Sequence, residues 1–94
     1  MKIFSIDDIN NKLIELNSWQ FINNTIEKEF VLNDFRDSLA FAVKIGIEAE
    51  KMDHHPDLLL HGWNKVKVTL TTHSAGGVTE NDIKLAQTID KITR

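Results

Sequence analysis

The sequence contains no cysteine. That absence excludes a disulfide framework, a thiolate nucleophile and any cysteine-based zinc or iron–sulfur site. Nor is there an excess of positive charge: 11 Lys and Arg stand against 14 Asp and Glu, a formal net charge of −3. A general nucleic-acid or anionic-membrane binder needs a basic face, so neither partner is expected. No apolar run approaches the ~20 residues of a membrane span. The opening MKIFSIDDIN turns polar and acidic too soon for a signal peptide, so the expected location is the cytoplasm. No glycine-rich loop leads into a helix-borne lysine, which argues against a nucleoside triphosphate as ligand.

What is present reads as a single small domain over residues 1–94, 41% hydrophobic and 27% charged, with a core that is marginal without an oligomer. Ser5 and Asp8 mark a helix start, and Ile6, Ile9, Leu13 and Leu16 recur at helical spacing, predicting a first helix to about Leu16. Trp19 to Ile22 and Thr25 to Leu32 predict two strands joined by an Asn23-Asn24 turn. On the second, Ile26, Phe30 and Leu32 share a face on which Lys28 is the exception. Asn33 is the expected cap of a helix over Asp34 to Met52.

That helix carries two apolar strips. The broad one holds Phe35, Leu39, Ala42, Val43, Gly46, Ile47 and Ala49 with Glu50 in its midst, and the narrow one Phe41, Ile45 and Met52. The broad strip predicts packing on the sheet, which turns Glu50 inward, and the narrow strip predicts a second subunit. Two further strands, Leu58 to Leu60 and Asn64 to Thr72, precede a capping box at Thr79–Asp82 and a last helix. The order αββαββα indicates an α+β domain, with a four-stranded antiparallel sheet covered by helices on one face.

The stretch from Glu50 to Asp82 holds all four histidines, His54, His55, His61 and His73, together with the one proline, Pro56, and Trp63. Three readings compete there. Isolated histidines in turns are ordinary, but four within twenty residues beside an inward Glu50 weaken that account. Histidine is the commonest zinc ligand, yet there is no HExxH and no pair four apart on a helix. The third reading is acid–base chemistry without a metal, since imidazole both accepts and donates a proton near neutral pH. Glu50 or Asp82 would orient or tune the rings, although Asp82 also fits a purely capping role. Trp19 and Trp63 are core residues or, beside the histidines, walls for a flat heteroaromatic ligand. The residues alone point to a small metal-free acid–base enzyme or a heterocycle binder.

At these positions the chain resembles the pterin-4a-carbinolamine dehydratase family. The family pattern runs from an acidic or polar residue through His-His-Pro, an aromatic and a histidine to an aspartate. Here Glu50, three residues, His54-His55-Pro56, six residues, Trp63, nine residues, His73, eight residues and Asp82 fill every slot. NKVKVTLTTH, the TENDIKLAQTID helix, the Trp19 hairpin and the helix beginning Asn33-Asp34-Phe35 are similar to the family too.

The resemblance implies the αββαββα fold, a homodimer or homotetramer, and loss of water from a 4a-hydroxytetrahydropterin with no cofactor. It makes His54, His55 and His73 the catalytic set, with His54 and His73 as the proton-transfer pair and His55 holding the pterin. Glu50 and Asp82 become supporting carboxylates, and Trp19, Pro56, Trp63, Thr72 and Ser74 substrate contacts. Trp63 departs from the family's commoner tyrosine, and His61, in a longer turn, has no role in the pattern. Some relatives act instead as dimerisation cofactors or assembly factors on the same scaffold. Assembly-factor relatives are expected to lose histidines that are retained here.

Overall fold

The computed structural model describes residues 2–92. Helix α1 (Ile6–Ile14) opens where expected, the Ser5 hydroxyl accepting the Asp8 N–H at 3.1 Å. It ends early because Glu15 and Leu16 donate three residues back, to Lys12 and Leu13, which tightens the last turn. Strands β1 (Gln20–Ile22) and β2 (Thr25–Val31) are joined by Asn23 and Asn24 at φ 51° and 63°, the left-handed pair that a two-residue hairpin needs. Helix α2 (Phe35–Met52) is capped by Asp34 and not by Asn33. The Asp34 carboxylate accepts the Asp37 N–H at 2.8 Å, while the Asn33 side chain donates to the Asp37 carboxylate at 3.2 Å. Strands β3 (Asp57–His61) and β4 (Lys65–Leu70) and helix α3 (Glu80–Lys91) complete the predicted order.

The four strands form one antiparallel sheet in the order β1-β2-β4-β3. One face of it carries Ile26, Phe30, Val66, Val68 and Leu70 into the core, where Ile9 of α1, Ala49 of α2 and Ile83, Leu85, Ala86 and Ile89 of α3 meet them. Alternation along β4 places every second residue inward, as the sequence pattern demands. Lys28, the misfit on the inner face of β2, is neutralised: its Nζ lies 2.9 Å from Asp90 of α3 and 4.6 Å from the centroid of the Phe30 ring. The same carboxylate accepts the Trp19 indole N–H.

The two strips of α2 are exchanged relative to expectation, except that Ala49 of the broad strip joins the core. Phe41 and Ile45 of the narrow strip are 1% and 0% exposed and pack on the sheet, with Met52 against the core they form. Phe35, Leu39, Val43 and Ile47 of the broad strip face outward, Val43 at 62% and Ile47 at 52% exposed. The narrow strip supplies the aromatic ring that stacks edge-on against Phe30, centroids 4.9 Å apart, whereas the broad strip is interrupted by Gly46 and Glu50. Glu50 moves with its strip: its side chain is 79% exposed.

Candidate active site

The end of α2 builds the first wall. Asp53 adopts the left-handed conformation at φ 50°, and the chain doubles back so that the Asp53 N–H donates to Glu50 and the His54 N–H to Ala49, each at 3.1 Å. This closure satisfies the last helical carbonyls and fixes the direction in which His54 leaves the helix. Pro56, half-buried, then keeps the chain extended into β3.

The second wall is the end of β4. Beyond Leu70 the Thr72 carbonyl accepts the N–H groups of Ala75 and Gly76 at 3.0 and 2.9 Å, and Thr72 bridges back to Gly77. Gly76 sits at φ 82°, where a side chain would be strained, so this tight loop depends on glycine. The loop presents His73 and Ser74 to solvent opposite the His54-His55 turn.

Between the two walls lies a cleft of about 200 Å³ lined by Asp53, His54, His55, Thr71, Thr72, His73 and Ser74. His54 is buried, and its Nε2 lies 2.6 Å from Asp82 Oδ1. Asp82 is fully buried at the start of α3, where Oδ2 accepts the Thr72 hydroxyl and the Thr79 N–H, both at 2.9 Å. With its second oxygen taken by donors, Asp82 meets His54 as an acceptor, so Nε2 carries a hydrogen, and in the neutral ring Nδ1 is the nitrogen without one. His55 is exposed, with Nε2 2.9 Å from Glu50 Oε1. Such an exposed pair restrains the ring but contributes little to stability.

The structure thus brings together His54, His55, His73, Thr72 and Ser74 around the cleft, with Asp82 behind it and Glu50 on His55, while Pro56 follows His55 in the chain and is not among the lining residues. Two predicted residues stand apart within the single chain. Trp19 is buried with its N–H on Asp90, eight residues along α3 from Asp82 and so roughly 12 Å down the helix axis. Trp63 is exposed at φ 60° in the β3–β4 turn, separated from the His73 end by the length of β4, roughly 17 Å.

His61 lies on the outer face of the sheet, 2.5 Å from Glu29 of β2, and takes no part in the cleft. Among the described residues, no three His, Asp or Glu side chains are grouped so as to hold a metal ion. Sequence reasoning missed Asp53 and Thr71 as lining residues. The signal for Thr71 was available in the alternation of β4, which carries on towards His73.

The whole described chain matches a known family. The profile of the family described as pterin 4 alpha carbinolamine dehydratase matches residues 2–92. A protein from Prochlorococcus marinus named "Putative pterin-4-alpha-carbinolamine dehydratase" is 49% identical over 83 residues, covering 87% of this chain and 86% of the other. One of the same name from Sulfurisphaera tokodaii is 40% identical over 92 residues, 98% of both chains. Among solved structures, a transcriptional coactivator/pterin dehydratase from Brucella melitensis superposes with a TM-score of 0.88 at 36% identity, over 95% of this chain and 96% of that one. A pterin dehydratase-like protein identified as a RuBisCO assembly factor of the alpha-carboxysome shares the fold, with a TM-score of 0.62 at 21% identity over 80% of this chain and 86% of that one. The chain belongs to the pterin-4a-carbinolamine dehydratase family.

Proposed function

We propose that this member of the family dehydrates a 4a-hydroxytetrahydropterin to the quinonoid dihydropterin in pterin recycling, with histidine side chains as acid and base. The C4a–O bond breaks, the hydroxyl departs as water with a proton from the protein, and N5 gives up its proton as the C4a=N5 double bond forms. Atoms and charge balance over two proton transfers, and neither transfer calls on a metal or an organic cofactor.

His54 is the base for the N5 proton. His54 lines the cleft, its Nδ1 is the nitrogen not taken by Asp82, and Asp82 at Nε2 stabilises the imidazolium that forms. His73, exposed on the facing loop, is the acid that protonates the departing hydroxyl. His55, restrained by Glu50, holds the pterin, with Ser74 offering a hydroxyl at the cleft wall that Thr72 also lines, and Pro56 next to His55 setting the course of the chain there. A cleft of about 200 Å³ is below the usual size of a small-molecule pocket, so it takes the reacting edge of the bicycle and leaves the rest outside.

The observation that carries this reading is the buried His54–Asp82 contact opening onto a cleft shared with His55 and His73. Dehydration of a 4a-hydroxytetrahydropterin by the purified protein, followed as formation of the quinonoid product, tests it. Acceleration by wild-type protein supports the reading, and a rate equal to the uncatalysed one ends it.

The outward strip of α2 supports association of two or four copies. Phe35, Leu39, Val43 and Ile47 repeat every four residues, a ridge of the kind that interdigitates when two helices cross. In an antiparallel pair about Val43, Leu39 meets the partner's Ile47 on both sides, so the strip is complementary to itself.

A further inference from the structure

The hydrogen bonds behind His54 extend one residue beyond those that touch the cleft. Thr79, fully buried at the N-cap of α3, lies with its Oγ1 2.7 Å from Thr72 Oγ1. A threonine hydroxyl has one hydrogen. That of Thr72 is already donated to Asp82 Oδ2 at 2.9 Å. The hydrogen in the Thr79–Thr72 contact therefore belongs to Thr79, whose oxygen in turn accepts the Asn81 N–H at 3.3 Å. The chain of donors has one direction: Asn81 to Thr79, Thr79 to Thr72, Thr72 to Asp82, and His54 to the other oxygen of Asp82.

Capping alone needs less than this. An N-cap requires only an acceptor for the first free N–H groups, which many residues supply. Here the same hydroxyl must also donate, and its donation occupies the Thr72 oxygen so that Thr72 gives its own hydrogen to Asp82. Thr79 also grips the other wall, because Thr72 anchors the loop that carries His73.

We propose that Thr79 is a positioning residue of the dehydratase reaction, its hydroxyl holding Thr72 and Asp82 so that His54 keeps Nε2–H on Asp82 and presents a bare Nδ1 to the cleft. The role rests on the dehydratase reading, but its structural half can be read without turnover. In ¹⁵N imidazole NMR of the neutral ring, wild-type His54 shows a single Nε2–H tautomer. Thr79→Val and Thr79→Gly shift it to a mixture, and Thr79→Ser restores it. Glycine is well tolerated at an N-cap, so Thr79→Gly keeps the test open if the valine variant fails to fold.

In turnover, both hydroxyl deletions lower kcat on the order of tenfold with KM little changed, and adding Thr72→Val lowers it no further, since both act on one network. An active wild type whose His54 tautomer is unmoved in folded Thr79→Gly, or additive losses in the double variant, overturns the proposal alone. An inactive wild type overturns the dehydratase reading.

Discussion

Two carboxylates flank the histidines, and their surroundings differ in kind. Asp82 is 0% exposed and meets three donors, namely the Thr72 hydroxyl, the Thr79 N–H and the His54 Nε2–H, whereas Glu50 stands in solvent. Replacing Asp82 with Asn turns one acceptor into a donor facing donors, which is expected to cost about 1–3 kcal/mol of stability and on the order of 10²-fold in turnover. Glu50→Gln is expected to change stability by less than about 0.5 kcal/mol and to act through substrate affinity. Thermal unfolding and steady-state kinetics on the two variants check the contrast. The sequence showed both residues but not the difference, because Glu50 sits in an apolar strip and only the packing of α2 reveals that this strip faces out. Asp82 carries both roles that the pattern allowed, since capping α3 and holding His54 use different oxygens of one group.

At the scale of elements, the boundaries set by local chemistry were legible. Ser5, the two asparagines of the first hairpin, the alternation along β4 and the Thr79 capping box all act within a few residues of themselves, and the structure places each where its spacing requires. The orientation of α2 was not legible, because an apolar strip that packs on a sheet and one left for another surface have the same composition. The exchange has a thermodynamic signature. Ile45→Ala removes a side chain that is fully buried on the sheet and is expected to cost about 2–5 kcal/mol. Val43→Ala, two residues before it, is expected to change the stability of the single chain by less than about 0.5 kcal/mol. Denaturant titration of both variants, at a protein concentration low enough to keep chains apart, measures the difference.

For the molecule as a whole, the exposed ridge of α2 and the small open cleft are linked by Glu50, which belongs to the outward strip and also holds His55. On the association proposed above, Val43→Glu places a charge at the centre of that ridge and is expected to give smaller species in sedimentation velocity than wild type, with the helical circular dichroism retained. An unchanged sedimentation coefficient would place the interface elsewhere. The fold read from local signals is the one observed, and His54, His55 and His73 line one cleft with Asp82 on His54, but the two tryptophans do not join the histidines within one chain. Spacing along a sequence says nothing about which end of a strand or helix a side chain reaches, and Trp63 and His73 lie at opposite ends of β4.

The most direct test of the account is the rate at which purified wild-type, His54→Ala and His73→Ala proteins convert a 4a-hydroxytetrahydropterin to the quinonoid product. Wild type is expected to accelerate the reaction and each variant to lose on the order of 10²–10⁴-fold while remaining folded; wild-type activity that survives both substitutions unchanged would contradict the assignment of the cleft.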